Sequence, residues 1–596
     1  MTNNGEDVFS VSDYDKMKKF FSEAETLICH NIQRADVPWI ERILGIKITA
    51  RIIDTLPLSW TLFPDINNHG LYDWGQELGI PKVEIEDWVN LPVERYIERC
   101  EQDVRINYTV WIKIYEKLLK LYDNPEDMNR YIDYLSFKMY TARLKEQNRW
   151  KLDVVQTKQA IEELSIERDK RISELASAMP RVPVYATKSV PKKLYNKDGE
   201  LTKLGQVWFE RLSELKLPKD TESVEFLSGY EEPNPGSNKQ IKDWLFSLGW
   251  KPATFKYVKD EATGKKREIP QINAPPQKGG GVCPSVQALF AREPKLEALD
   301  GVSILSHRIG LLNGFIRDVS PDGYLQAKVA GLTNTLRWKH AEIVNLPRVD
   351  RKYASAVRSS LVALDGHLLC GSDMSGLEDR LKQHYIYPFD PEYVQEMMAD
   401  DYDPHLSLAL SAGAISSVQS DNYKTGLDKS IKPIRDIYKN GNYACQYNAY
   451  PPTIARTCGV SLEKGKEIFD AYWEKNWAIK EVVKQQVIKY IGDEMFLLNP
   501  ISKFWYSLRT ENDIFSTLVQ GTAAYAFDIY LGFVLKEDSR LIGDFHDEFI
   551  LHVEEGQKEQ TEKLCLKAIE QTNQFLNLNR KLDVGIQFGQ KYSEIH

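Results

Sequence analysis

Two aspartates carry the chemical signal of this sequence. Asp373 sits near the end of the apolar stretch HLLCGSDM, and Asp547 interrupts another, RLIGDFHDEFILHV. Both stretches have strand length and strand composition. Two carboxylates held on strands can bind a pair of divalent cations, which clamp the attacking and leaving oxygens of an in-line phosphoryl displacement. Between them, RDIYKNGNYACQY places Arg435, Lys439, Tyr443 and Tyr447 four residues apart. Residues at that spacing stack on one helix face. The stripe offers two cations to a polyphosphate and two aromatic faces to a base. Nucleotidyl transfer asks little more of side chains, because positioning and charge neutralisation supply most of the catalysis.

The frame that must hold these residues is large. At 596 residues the chain exceeds what one core supports and should contain several domains. Its 42% hydrophobic and 27% charged content is that of a globular protein and excludes a disordered or fibrous class. No uninterrupted apolar run reaches about 18 residues, so no transmembrane helix and no membrane partner are expected. The opening MTNNGEDVF lacks the basic-then-apolar layout of a signal peptide. With a net charge of −9 the chain is not globally basic, so a nucleic-acid partner must be held by local basic patches. The seven cysteines are scattered without a C-x-x-C pair, which points to reduced thiols and a cytoplasmic setting.

Along the chain, LICHNIQRADVPWIERIL reads as strand, loop and helix, and ERYIERCEQDVRINYTVWIKIYEKLLKLY as helix. Long amphipathic helices follow from about 137 to 179. The tract RVPVYATKSVPKKLYNK then carries five Lys or Arg and no acid, and its prolines argue against a regular helix. Such a charge run reads either as solvated surface or as a contact for DNA or a partner. GGGV near 279–282 is not a phosphate loop, because no GxxxxGK[ST] is present. No internal repeat or long low-complexity tract occurs.

The segments around Asp373, Arg435 and Asp547, in this order, resemble motifs A, B and C of the family A DNA polymerases, most like the phage replicative enzymes. Motif A is matched by Asp373, Ser375, Glu378 and Arg380, motif B by Arg435, Lys439, Tyr443 and Tyr447, and motif C by His546, Asp547 and Glu548. The resemblance implies an α+β multi-domain protein: a right-hand polymerase of palm, fingers and thumb, preceded by a truncated RNase H-like 3′→5′ exonuclease-type domain. The implied divisions are 1–122 for the exonuclease-like domain, 123–250 for the thumb with a basic insertion near 180–232, 251–389 for the first part of the palm, 390–499 for the fingers and 500–596 for the second part of the palm.

The resemblance also implies roles. Asp373 and Asp547 are the catalytic metal ligands, joined by the Met374 main-chain carbonyl, for two Mg²⁺ ions with Mn²⁺ as a substitute. Arg435, Lys439, Tyr443, His405 and Glu378 bind the incoming deoxynucleotide, Glu378 closing on the sugar 2′ position. Tyr447, His546, Glu548, Gln520, Arg337 and Arg308 meet the primer–template. The implied partners are primer–template DNA and dNTPs, with a processivity factor at the thumb insertion.

In the N-terminal region Asp36 and Asp103 are similar to exonuclease metal ligands, while the opening Asp-x-Glu of that domain is missing and Arg99 replaces a tyrosine. Proofreading by this chain is therefore expected to be absent or to depend on a separate polypeptide completing the domain. A single-subunit RNA polymerase and a non-catalytic relic are the alternatives. The exonuclease-like front and Glu378 oppose the first, and the intact acids with Arg435 and Lys439 oppose the second.

Overall fold

The computed structural model describes residues 8–85, 87–259, 266–274, 281–343, 346–446 and 448–595. Residues 1–152, 318–346 and 361–596 form one compact unit, and residues 153–317 with 347–360 form a second.

The larger unit is organised on a four-stranded antiparallel sheet, in the order Leu541–Phe545, Glu548–Glu554, His367–Met374, Val584–Gly589. LIGDF is buried at every position, and EFILHVE at all but its last residue. Strands covered on both faces read as continuous apolar runs rather than alternating ones, and these do. On one face Tyr530 of the helix Ile514–Leu535 meets Ser372 (Oη to Oγ 2.7 Å) and sets its ring 5.3 Å from that of Phe549. On the other face a Cβ on Gly371 would lie 3.0 Å from Ile595 and 3.1 Å from the Glu548 carboxylate, so the strand needs glycine there.

The segment Glu511–Leu535 is long and apolar enough to cross a bilayer, which a search for uninterrupted apolar runs does not reveal. Of its most apolar stretch, 72% is buried inside the protein, so its hydrophobicity is accounted for by the core.

The helix Pro125–Asn148, expected in the thumb, belongs to the larger unit. Its lysines explain why. Lys138 pairs with Asp528 at 2.7 Å, and Lys145 pairs with Asp544 on the strand Leu541–Phe545; all four groups are buried. The two ammonium groups flank the Trp338 ring at 5.0 and 4.9 Å. Burial alone would raise the Asp544 carboxyl, but Lys145 and His340 outweigh it and hold it below the ordinary range.

The N-terminal elements include a two-stranded parallel sheet, Thr26–Cys29 with Arg51–Asp54, and the helices Asp36–Leu44, Thr55–Leu62, Leu71–Leu78 and Val93–Leu121. The expected order of strand, loop and helix over residues 27–44 is present. Between residues 404 and 475 five helices close on their own core, which includes Leu406, Tyr438, Cys445, Ile468 and Tyr472. Tight approach sets their packing: a Cβ on Gly441 would stand 2.6 Å from Ile468.

The smaller unit holds the helix Val154–Ala178, a core that includes Leu175, Trp244, Leu245 and Trp250, and, among the described residues, two two-stranded antiparallel sheets. Residues 251–317, expected in the palm, lie in this unit. The basic tract is not a plain loop. Val182–Ser189 is a strand paired with Ser223–Glu231, and Lys188, Lys192, Lys193 and Lys197 are exposed on it and beyond it.

Removing one member of a buried ion pair strands its partner's charge, at a cost of about 3–5 kcal/mol, whereas replacing both by apolar groups is often near neutral. Lys145→Met should therefore destabilise the protein by that amount, and Lys145→Met with Asp544→Leu should recover most of the loss. Urea unfolding of the two variants checks this; equal destabilisation would show that the pair itself carries stability.

Candidate active site

Asp373 is the exposed position in the last five residues of its strand; Cys370, Gly371, Ser372 and Met374 are buried. In register it faces Glu548 on one side and Gly585 on the other. Asp547 lies in the two-residue turn between Phe545 and Glu548, and the Met374 N–H donates to the Asp547 carbonyl at 2.9 Å. That bond ties the end of the first strand to the turn carrying the second acid. Within the turn, His546 has φ +62°, and the Asp547 N–H donates back to the Phe545 carbonyl at 2.9 Å. A non-glycine residue in the left-handed region is strained, and such strain clusters at functional sites.

The Asp547 carboxyl is pushed above its ordinary value, first by burial and then by Glu378, against the lowering pull of Arg337 and His546. A cation beside it would favour the charged form. Among the described residues, no three His, Cys, Asp or Glu side chains are grouped so as to hold a metal ion. Two hard carboxylates and a main-chain oxygen fit Mg²⁺, which normally keeps water and substrate oxygens in its shell.

Glu378 and Arg337, expected to face the sugar and the minor groove separately, form an ion pair at 2.6 Å. Arg380 donates to the Lys581 carbonyl at 2.8 Å, anchoring its helix to the segment before the strand Val584–Gly589. Glu548, expected at the primer–template, is 5% exposed and accepts from the Tyr592 hydroxyl at 3.4 Å. Its side chain lies on the same face of the sheet as Asp373, its cross-strand partner. Gln520 is half-buried on the helix Ile514–Leu535. Arg308 belongs to the smaller unit, beside His307 at 3.0 Å.

The helix Lys432–Gln446 displays the expected stripe. Tyr438, Gly441 and Cys445 are buried, which turns Lys439 and Tyr443 outward. Tyr443 is 50% exposed. Tyr447 lies outside the described residues. Arg435 pairs with Asp403 at 2.6 Å. Asp403 also caps the next helix by accepting from the His405 and Leu406 amides. His405 is buried, which pulls its imidazole down to about 4 and leaves it neutral near pH 7. Its ring stands 5.5 Å from that of Tyr443. Glu378, His405 and Tyr443 line one cavity of about 310 Å³, so the structure brings motif A and motif B residues to a common space. Asp403 escaped the sequence reading, although Asp before Pro at a helix start is a capping signal.

In the N-terminal region, Asp36 is raised to about 6 by burial and by Asp103. A third acid joins them. Asp54 is 2% exposed and accepts from the Asn31 amide at 2.7 Å and the Leu56 amide at 3.1 Å. Burial raises it to about 7, and Asp36 adds to the rise. Its signal in the sequence is an acid closing the apolar RIID. Lys82 occupies Asp103 at 2.7 Å, and Arg99 donates to the Val83 carbonyl, clamping that segment to the helix Val93–Leu121.

Residues 324–594 match the model of DNA polymerase family A. The matched residues include the four-stranded antiparallel sheet, the turn that carries Asp547 and the helix Lys432–Gln446. DNA polymerase I of Borreliella burgdorferi is 23% identical over 290 residues, which are 46% of this chain and 30% of that protein. The match thus spans under a third of that relative's length. The POL domain of Pol1 from M. smegmatis, solved in complex with DNA primer-template and dNTP, shares the fold with a TM-score of 0.66 at 15% identity, covering 98% of this chain and 89% of that one.

A carboxyl whose folded pKa is raised binds its proton more tightly when folded, so its contribution favours the fold at low pH and fades as pH rises. For Asp54 the window runs from the ordinary value of 3.8 to about 7. Asp54→Asn should therefore gain stability relative to the wild type as pH rises through that window, by on the order of 4 kcal/mol. Melting curves at intervals from pH 4 to 7 test this. A constant difference would mean that Asp54 is ionised throughout.

Proposed function

We propose that this protein is a template-directed DNA polymerase that adds deoxynucleotides to a primer 3′ end by a two-metal mechanism. The observation that carries the reading is the Met374 N–H···O Asp547 bond, which joins the two acid-bearing segments at one end of the sheet. Two divalent cations held by Asp373, Asp547 and the Met374 carbonyl would activate the 3′-hydroxyl and neutralise the departing pyrophosphate. Arg435 presents a planar fork to the triphosphate and Lys439 a point charge. Because Arg435 starts out paired with Asp403, nucleotide binding must share or break that pair. Tyr443 borders the incoming sugar and base, and Tyr447 the templating position. The Glu378–Arg337 pair, whose glutamate shares a cavity with Tyr443, supports selection of deoxy- over ribonucleotides, against an RNA polymerase.

Replication of a phage genome in the host cytoplasm is the setting we assign, with the seven cysteines free as a reducing compartment requires. A processivity partner or duplex DNA at the basic strand and loop, and a separate polypeptide completing the exonuclease-like region, extend the reading.

Asp373→Ala and Asp547→Ala should each abolish primer extension while leaving primer–template affinity largely intact at fixed salt. Appreciable synthesis by either variant would sink the assignment. Run without nucleotides on a mispaired primer, the same assay should show little degradation by this chain alone. Robust digestion abolished by Asp103→Ala would overturn the need for a second polypeptide.

The basic tract has its own test. With Lys188, Lys192, Lys193 and Lys197 changed to Ala, products should shorten, and the log–log salt slope of duplex binding should fall by about 0.9 per lost phosphate contact. An unchanged slope and product length would reduce the tract to solvated surface.

A further inference from the structure

The cavity of about 310 Å³ that Glu378, His405 and Tyr443 border extends behind them to Lys382, Tyr472 and Asn476. Its volume falls at the small end of ligand sites. The groups at its back are unusual. Lys382 is 9% exposed, and among the described residues no hydrogen-bond or ion-pair partner meets it. Its ammonium stands 6.0 Å from the centre of the Tyr472 ring, the outer limit of a cation–π contact. The neighbouring cation, Lys475, is taken by Glu396 at 2.9 Å. The Tyr472 hydroxyl is buried without a hydrogen-bond partner, in a residue 1% exposed. Asn476 is 3% exposed; its Nδ2 donates to the Tyr472 carbonyl at 2.9 Å, while its Oδ1 is buried and unpartnered.

Three polar side chains, each at least nine-tenths buried, thus line one cavity with bonding capacity unspent. Leaving such groups unmatched costs free energy, so a native structure that keeps them calls for an explanation. Burial draws the Lys382 ammonium down to about 8, so it is still mostly charged at neutral pH. The acids on the cavity wall make no direct ion pair with Lys382. Glu378 is neutralised by Arg337, and Asp379, which takes the Gln383 amide at 2.8 Å, attracts Lys382 only at a distance and forms no ion pair with it.

We propose that this cavity is a subsite for a phosphate-class anion, bound by the Lys382 ammonium and the Tyr472 hydroxyl with Asn476 taking up a P–OH. An oxyanion accepts from Lys382 and Tyr472, and a protonated phosphate oxygen donates to the Asn476 Oδ1. Orthophosphate and pyrophosphate share this chemistry. The second is released by the reaction proposed above, and only that source rests on the proposed function. The site is separate from the cations of the motif B stripe, since neither Arg435 nor Lys439 lines the cavity. An anion here would lie against Glu378 and Tyr443 and so couple its presence to the nucleotide pocket.

The test is calorimetric titration of orthophosphate, and separately of pyrophosphate, into the full chain without DNA. Four proteins are compared: wild type, Arg435→Ala, Lys382→Met and Tyr472→Phe. Binding that survives in Arg435→Ala but weakens at least tenfold in Lys382→Met is expected. Tyr472→Phe is the decisive control, because it removes a hydroxyl that bonds to nothing in the free protein. That variant should melt no lower than the wild type, yet bind the anion several-fold more weakly. Binding by pyrophosphate alone would name the reaction product as occupant; binding by both would name any phosphate of that class. Affinity unchanged by Lys382→Met and Tyr472→Phe, or lost entirely in Arg435→Ala, would overturn the subsite. Neither result depends on whether the chain synthesises DNA.

Discussion

Bringing two carboxylates to one end of a sheet is electrostatically unfavourable, and the rest of the site is built around imposing it. Asp373 and Asp547 are like charges on neighbouring segments, and the Met374 N–H···O Asp547 bond fixes their backbones together. The sheet can sustain this because its register is over-determined. His367–Met374 is paired along both edges, with Glu548–Glu554 and with Val584–Gly589. A slip by one residue would move Asp373 to the face that packs on Tyr530. Arg337 and Glu378 extend the same logic, surrounding Asp547 with both signs of charge.

Beneath that surface the protein holds charge where a helix would ordinarily place apolar residues. Lys138, Lys145, Asp528 and Asp544 are fully desolvated, and Asp544 stands three residues before Asp547 on the same strand and turn. Packing alone could hold a helix on a sheet. A pair of oriented ion pairs also fixes which residue meets which, since a misaligned helix would strand charges in the core. The steric side of the same arrangement is Gly543, where a Cβ would stand 2.8 Å from Trp150.

What the sequence made legible follows from how local each signal is. Asp373 and Asp547 stand out because an acid within an apolar run is anomalous in its own stretch of sequence. Arg435, Lys439 and Tyr443 stand out because helical spacing is a short-range pattern. Asp403 and Arg337 were less legible, because their roles come from partners 32 and 41 residues away. The burial of the helix Pro125–Asn148 was hard to read for a related reason: lysines suit solvent until Asp528 and Asp544 are brought to Lys138 and Lys145 by the fold. The strand Val182–Ser189 was hidden by its prolines and lysines, and by a pairing partner that begins only at Ser223. Asp54 did not stand out, because its proximity to Asp36 exists only once the fold is formed.

The order of the strands has a consequence for how the chain acquires its shape. His367–Met374 is made before every strand it pairs with, and the helices between residues 404 and 475 are made while it waits. Those helices close on contacts near in sequence, whereas the sheet needs loop closure over much longer separations. Local helical structure should therefore form early on a nascent chain, with the four-stranded sheet assembling last. Until then the strand HLLCGSDM has two open edges, the condition under which a growing polypeptide is most exposed to association with its neighbours.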